Sequence, residues 1–125
     1  MSPSGRLRRG LALLALPCLS LGCWLPPALT LSREEPAVVA HTWGHCDWFL
    51  AHQVDQSNHL ILMQWWSGHR PAKGDLLVGT VQPLEFCQLT TTEGDEMKVD
   101  VEAYDLDVIR ALDLLAERCR YDEPP

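Results

Sequence analysis

The stretch HLILMQWW, His59 to Trp66, decides how this chain is read. Leu60 to Met63 run apolar without a polar interruption. A strand with one wet face would alternate, so the run predicts a central strand covered on both faces. Trp65 and Trp66 are consecutive and on a strand must point to opposite faces. Both are buried only if both faces stay covered that far along.

Outward from this run, strand signals follow in quick succession: Ala37 to Trp43, Cys46 to His52, His59 to Trp66, Asp75 to Gln82, Leu84 to Thr92 and Glu96 to Tyr104. Gly44, the QVDQSN and SGHRPAKGD stretches, Pro83 and the EGD stretch separate them with turn chemistry. This is the spacing of an antiparallel meander. In the last strand Val99, Val101 and Ala103 alternate with Lys98, Asp100 and Glu102, so one face is dry and the other a solvated charge row. Beyond it the period changes. Val108, Leu112, Leu115 and Cys119, flanked by Ile109 and Ala116, form one helical stripe with Asp105 or Asp107 as N-cap. Carboxylates at the helix start and arginines near its end suit the helix dipole. The expected fold is α+β: an antiparallel five- or six-stranded curled sheet or small open barrel, with one C-terminal amphipathic helix across its mouth or one face.

This domain spans residues 37–120, with 121–125 expected to fray. At 125 residues, 46% hydrophobic and 22% charged, the chain is neither two domains nor wholly disordered. Residues 1–31 read as an export signal: Arg6, Arg8 and Arg9 precede an uncharged stretch from Leu11 to Leu31. Three forms of it are expected alternatives. Cleavage after Gly22 uses Ser20 and Gly22 as the small residues, lipid modification takes Cys23 in LSLGC, and an uncleaved anchor would have to tolerate Pro17, Pro26 and Pro27. Each places the domain outside the cytoplasm, secreted, periplasmic or anchored facing outward, with membrane contact only through this segment. Ser32 to Pro36 then reads as a short linker.

The formal charge of −7 hides an asymmetry. All seventeen carboxylates follow residue 32, against seven basic residues past residue 30, which leaves that part at −10. Asp75 begins a glycine-turn strand, PAKGDLLVGTV, of a form common in small β-barrels, some of which bind nucleic acid. A polyphosphate would nevertheless meet net repulsion and only two lysines, Lys73 and Lys98, which excludes nucleic acid as a partner.

Cys46, Cys87 and Cys119 lie past the export segment. In an oxidising compartment a Cys46–Cys119 bridge would tie the last element to the early sheet and close a loop of about 70 residues, worth on the order of 4 kcal/mol. Cys87, in LEFCQL, reads as a small buried hydrophobe. The alternative leaves all three as buried thiols, because spacing does not establish connectivity.

All five histidines fall between positions 41 and 69. His41, His45, Cys46, His52 and His59 are the candidate ligands for zinc or copper, although no spaced motif fixes a geometry. The plainer reading is surface and rim histidines whose charge follows pH. Trp43, Trp48, Trp65 and Trp66 lie within 24 residues. Some must be core. An exposed indole, with Trp66 or Trp43 the candidate, would make a flat platform for a sugar ring, a lipid or a partner's side chain.

No catalytic signature appears. His45 and Cys46 are adjacent and would face opposite ways on a strand, and Ser57 and Ser67 lack a nucleophile-elbow setting. CDWFLA, LILMQWW, GHRPAKGD, LLVG and LDLLAERC together resemble small uncharacterised exported bacterial proteins of about this length, a resemblance that implies no activity and no site residue. The expected function is a non-enzymatic binding or accessory module at the cell envelope, taking a protein or a neutral or cationic ligand. A histidine-based metal-binding envelope protein is the alternative, and a small hydrolase the weaker one.

Overall fold

In the computed structural model, which describes residues 28–122, Leu60 to Met63 are each at most 2% exposed. They divide by parity between two cores. Ile61 and Met63 join Val39, Phe49, Leu77, Leu89 and Val99, whereas Leu60 and Leu62 join Leu50, Ala111, Leu115 and Cys119. Successive strand side chains alternate, so the strand lies between two apolar layers, as its uninterrupted run predicts.

Among the described residues the elements are β1 (Leu29–Leu31), β2 (Ala37–Thr42), β3 (Trp48–Gln53), β4 (Leu60–Gly68), β5 (Leu76–Val81), β6 (Phe86–Thr91), β7 (Glu96–Leu106) and α1 (Val108–Asp122). The sheet order is β1-β5-β2-β3-β4-β7-β6, and β6 pairs again with β5. Six strands therefore follow one another in a ring, all antiparallel, with β1 added on β5. The architecture is α+β with seven strands and one C-terminal helix. The ring is not a fully laddered barrel: β5 meets β2 only at Leu76 and Leu77, and β6 only at Leu77 and Val78.

The order corrects the expected single meander. β2–β3–β4 and β5–β6–β7 are two separate meanders, because the loop after β4 carries the chain across to the edge of β2. That leaves β4, nine residues, to pair along its length with β7, eleven residues.

β1 lies within the segment read as an export signal, and it moves the start of the fold ahead of residue 32. Leu31 is 2% exposed in the inner core. Leu31 stands opposite Gly79 and Ala37 opposite Leu77, so the chain advances six residues against two on β5. The surplus, Ser32 to Glu35, loops out and is clasped by reciprocal backbone bonds between Ser32 and Glu35 of 3.1 and 3.2 Å. Ser32 to Pro36 is thus a held excursion from one edge, not a linker. The basic cluster, Gly22 and Cys23 lie outside the described residues.

Asp107 caps α1, its carboxylate accepting the Arg110 N–H at 2.8 Å. The buried stripe is Ala111, Leu115 and Cys119, with Leu114 half-buried, and it packs on β3 and β4. The helix thus covers one face of the ring, not its mouth, and extends to Asp122, two residues into the tail expected to fray. Its facing differs from the expected stripe: Val108, Ile109 and Leu112 turn outward, Ile109 at 75% exposure. The small Ala111 permits close approach to the sheet, and Cys119 is fixed by a disulfide to Cys46, with Cα atoms 5.5 Å apart and a sequence separation of 73. These two contacts set the rotation of the helix.

Candidate functional site

The four tryptophans of the domain separate cleanly. Trp48 is buried between sheet and helix, and the Arg118 guanidinium lies 5.3 Å from its ring. Trp65 packs against the inner core. Its indole N–H donates to the His69 carbonyl at 3.0 Å, and Arg70 stacks 4.5 Å from its ring while donating to the Asp47 carboxylate and the His45 carbonyl. Arg70 thereby ties the β2–β3 loop to the β4–β5 loop beside the disulfide.

Trp66 and Trp43 are exposed, at 53% and 41%. Trp66 owes its position to a bulge. Trp65 pairs with Val99 and Ser67 with Lys98, so Trp66 is the extra residue on β4 and stands out from the ladder. Its ring meets Phe86, itself exposed, edge to face at 5.1 Å between centroids, and Lys98 Nζ lies 5.1 Å from the Phe86 ring. Trp66, Lys98 and Phe86 thus form a row across β4, β7 and β6, outside the helix footprint on β3 and β4. Phe86 carries no signal of its own in the sequence, since in FCQL either parity could be the wet one. Only the burial of Cys87 and Leu89 settles it.

The five histidines do not converge. His45 lies in the exposed β2–β3 turn, and His41 on β2 is half-buried. His52 Nδ1 lies 2.6 Å from the Gln53 carbonyl, His59 Nδ1 lies against the Asp105 carboxylate, and His69 Nε2 pairs with Asp75 at 2.9 Å. Asp75 also accepts the Ala72 N–H at 2.9 Å and so closes its own turn. Cys46, in the disulfide, has no thiolate to offer a metal, and no three His, Cys, Asp or Glu side chains gather as ligands among the described residues. Zinc or copper finds no assembled set there.

Sequence reasoning missed a cavity of about 620 Å³ at one end of the ring, where β3 ends, β4 and β1 begin and the β5–β6 turn closes. Leu29, Ile61, Leu84 and Ala103 supply much of its wall, with Gln53, Glu102, Tyr104 and the His59–Asp105 pair among its polar groups. It exists because β7 bulges away from β4: Met63 faces Val101, Leu62 faces Ala103 and Leu60 faces Leu106, so β7 carries two extra residues there. Asp105 takes φ of 63° and Leu84, across the cavity, φ of 61°. Burial, and secondarily the Asp105 charge, push the Tyr104 phenol above its ordinary pKa.

Among the described residues Cys87 is the free thiol, and it is buried, bridging the splayed β5–β6 turn. It accepts the Gln82 N–H at 3.3 Å and lies 3.7 Å from the Gln82 and Glu85 carbonyls. Burial pushes its pKa up, against the pull of the Gln82 N–H. A thiol raised in the folded state stays neutral there while the unfolded thiol ionises, so its contribution is complete below about pH 8.5 and is lost as pH rises through the folded value. Melting temperature should therefore fall above about pH 8.5, and Cys87→Ala should flatten the first part of that decline. An unchanged decline in the variant would assign it to other groups, Tyr104 first.

Among the described residues no helix is long and apolar enough to cross a membrane. No family model, curated protein or solved structure matches the chain.

Proposed function

We propose that this chain is a non-enzymatic binding or accessory module at the cell envelope, and that it engages a protein partner through Trp66 and Phe86. The exposed edge-to-face pair carries this reading. Two large aromatic side chains, each about half exposed, stand edge to face across β7. Rigid aromatics lose little side-chain freedom on binding and dominate interface energetics. Lys98 beside them suits a partner with a carboxylate or carbonyl at its rim, while the −10 balance past residue 30 steers neutral or cationic surfaces toward the domain.

The test places a photo-crosslinking phenylalanine analogue at position 66, 86 or 54 of the full chain in cells. Val54 is as exposed as Trp66 and lies in the β3–β4 turn, away from it in the fold. Positions 66 and 86 should yield one discrete product that position 54 does not. Trp66→Ala should weaken binding of the captured protein by about thirtyfold or more, the loss typical of a central aromatic anchor, with little change in melting temperature. Equal yields from 54 and 66 would overturn the reading.

A further inference from the structure

The cavity at the end of the ring is on a different surface from Trp66, and Gln53 is a polar group set into its wall. Gln53 is 8% exposed, and its side-chain amide makes no hydrogen bond to any described residue. It follows Phe49 and Ala51 at two-residue steps on β3, both in the inner core, so it points to the ring interior, where it lines the cavity. The amide is solvated from the cavity, so a ligand's polar group would take the place of water there.

The remaining walls define that group. Leu29, Ile61, Leu84 and Ala103 present apolar surface, and the volume falls within the range of small-molecule sites. Among the described residues neither lysine nor arginine lines the cavity, whereas Glu102 and Asp105 do. Leu84 is held in a left-handed backbone conformation that leucine rarely adopts, fixed by its N–H to the Val101 carbonyl at 2.7 Å, and its side chain is 79% exposed. Strain of this kind persists where the surroundings impose it, often at ligand sites.

We infer that the cavity binds a small uncharged or cationic amphiphile, its alkyl chain against Ile61 and Leu84 and its polar head within hydrogen-bonding reach of Gln53. An anionic head of the same chain length meets the Glu102 and Asp105 carboxylates, which already hold Arg118 and His59 as partners, and is disfavoured.

Calorimetric titration of the full chain with decan-1-ol, decylamine and decanoate tests this. The alcohol and the amine should bind at least tenfold more tightly than the carboxylate. Gln53→Leu should weaken the alcohol about tenfold, the upper range for one hydrogen bond. Leu84→Asp, at an exposed position whose backbone conformation aspartate accepts, should weaken it severalfold in a protein of unchanged circular dichroism. Trp66→Ala should leave all three affinities unchanged, which separates this site from the aromatic pair. No binding by any probe would overturn the inference. So would equal binding of alcohol and carboxylate, or wild-type affinity in both cavity variants.

Discussion

Simultaneous replacement of Cys46 and Cys119 by serine is expected to lower the melting temperature by at least 15 °C, the largest effect of any change considered for this chain. The bridge spans 73 residues, a loop whose closure the chain-entropy account values at about 4 kcal/mol. For a domain of this size each kcal/mol shifts melting by about 4–8 °C. The same loss should follow from reductant added to the wild-type protein. Calorimetry with and without dithiothreitol checks both, and identical curves would show that the bridge carries no stability. Cys119 is also the end of the buried helix stripe, so near-ultraviolet circular dichroism from Trp48, beneath that helix, should weaken in step.

Gly68→Ala is expected to cost about 2–4 kcal/mol, from a left-handed backbone and a forced shift together. Gly68 ends β4 with φ of 86°, and a Cβ there would lie 2.4 Å from the Glu96 carbonyl oxygen and 2.9 Å from the Met97 Cα. Both are backbone atoms and cannot rotate away. The Glu96 carbonyl already accepts the His69 N–H at 2.8 Å, and Met97 belongs to the inner core, so the strain spreads to the start of the β4–β7 ladder. Gly94→Ala is the control. It has φ of 100° and an alanine methyl there would meet no atom within 4 Å, so only the backbone penalty, about 1 kcal/mol, applies. Urea unfolding of both variants separates the terms, and equal losses would remove close strand approach as the cause.

Much of the fold was legible because its strands write their burial into local pattern. The unbroken Leu60–Met63 run announced a strand between two layers, and the alternation from Lys98 to Ala103 announced one dry face. The six expected strands and the helix all form, with strand ends within two residues of those expected. Strand order was not legible. Nothing local distinguishes β5 pairing with β4 from β5 pairing with β2, since the choice rests on the long β4–β7 ladder, which forms between residues far apart in sequence. β1 escaped because Leu29–Leu31 continues the apolar composition of the segment before it, and composition does not mark where one role stops.

The helix face was misread for a related reason. Val108, Ile109, Leu112 and Leu115 are all apolar, so hydrophobicity alone permits more than one rotation, and the bridge at Cys119 with the small Ala111 selects one. At the aromatic surface, consecutive Trp65 and Trp66 had to face opposite ways, which the ring and the bulge at Trp66 realise. Phe86 and Gln53 gave no warning, because an exposed aromatic and an unpartnered amide are defined by what surrounds them.

The double burial of β4 also sets an order of events during synthesis. Its inward side chains are covered by strands that flank it, but Leu60 and Leu62 are roofed only by α1, the last fifteen residues of the fold to be made. Until those residues leave the ribosome, a nascent chain carries a bare strip of leucine beside Trp48, the kind of surface that chaperones capture and that drives aggregation. A chain terminated before Val108 keeps all seven strands yet exposes that strip permanently. Cells should degrade or precipitate such a product, however complete its sheet.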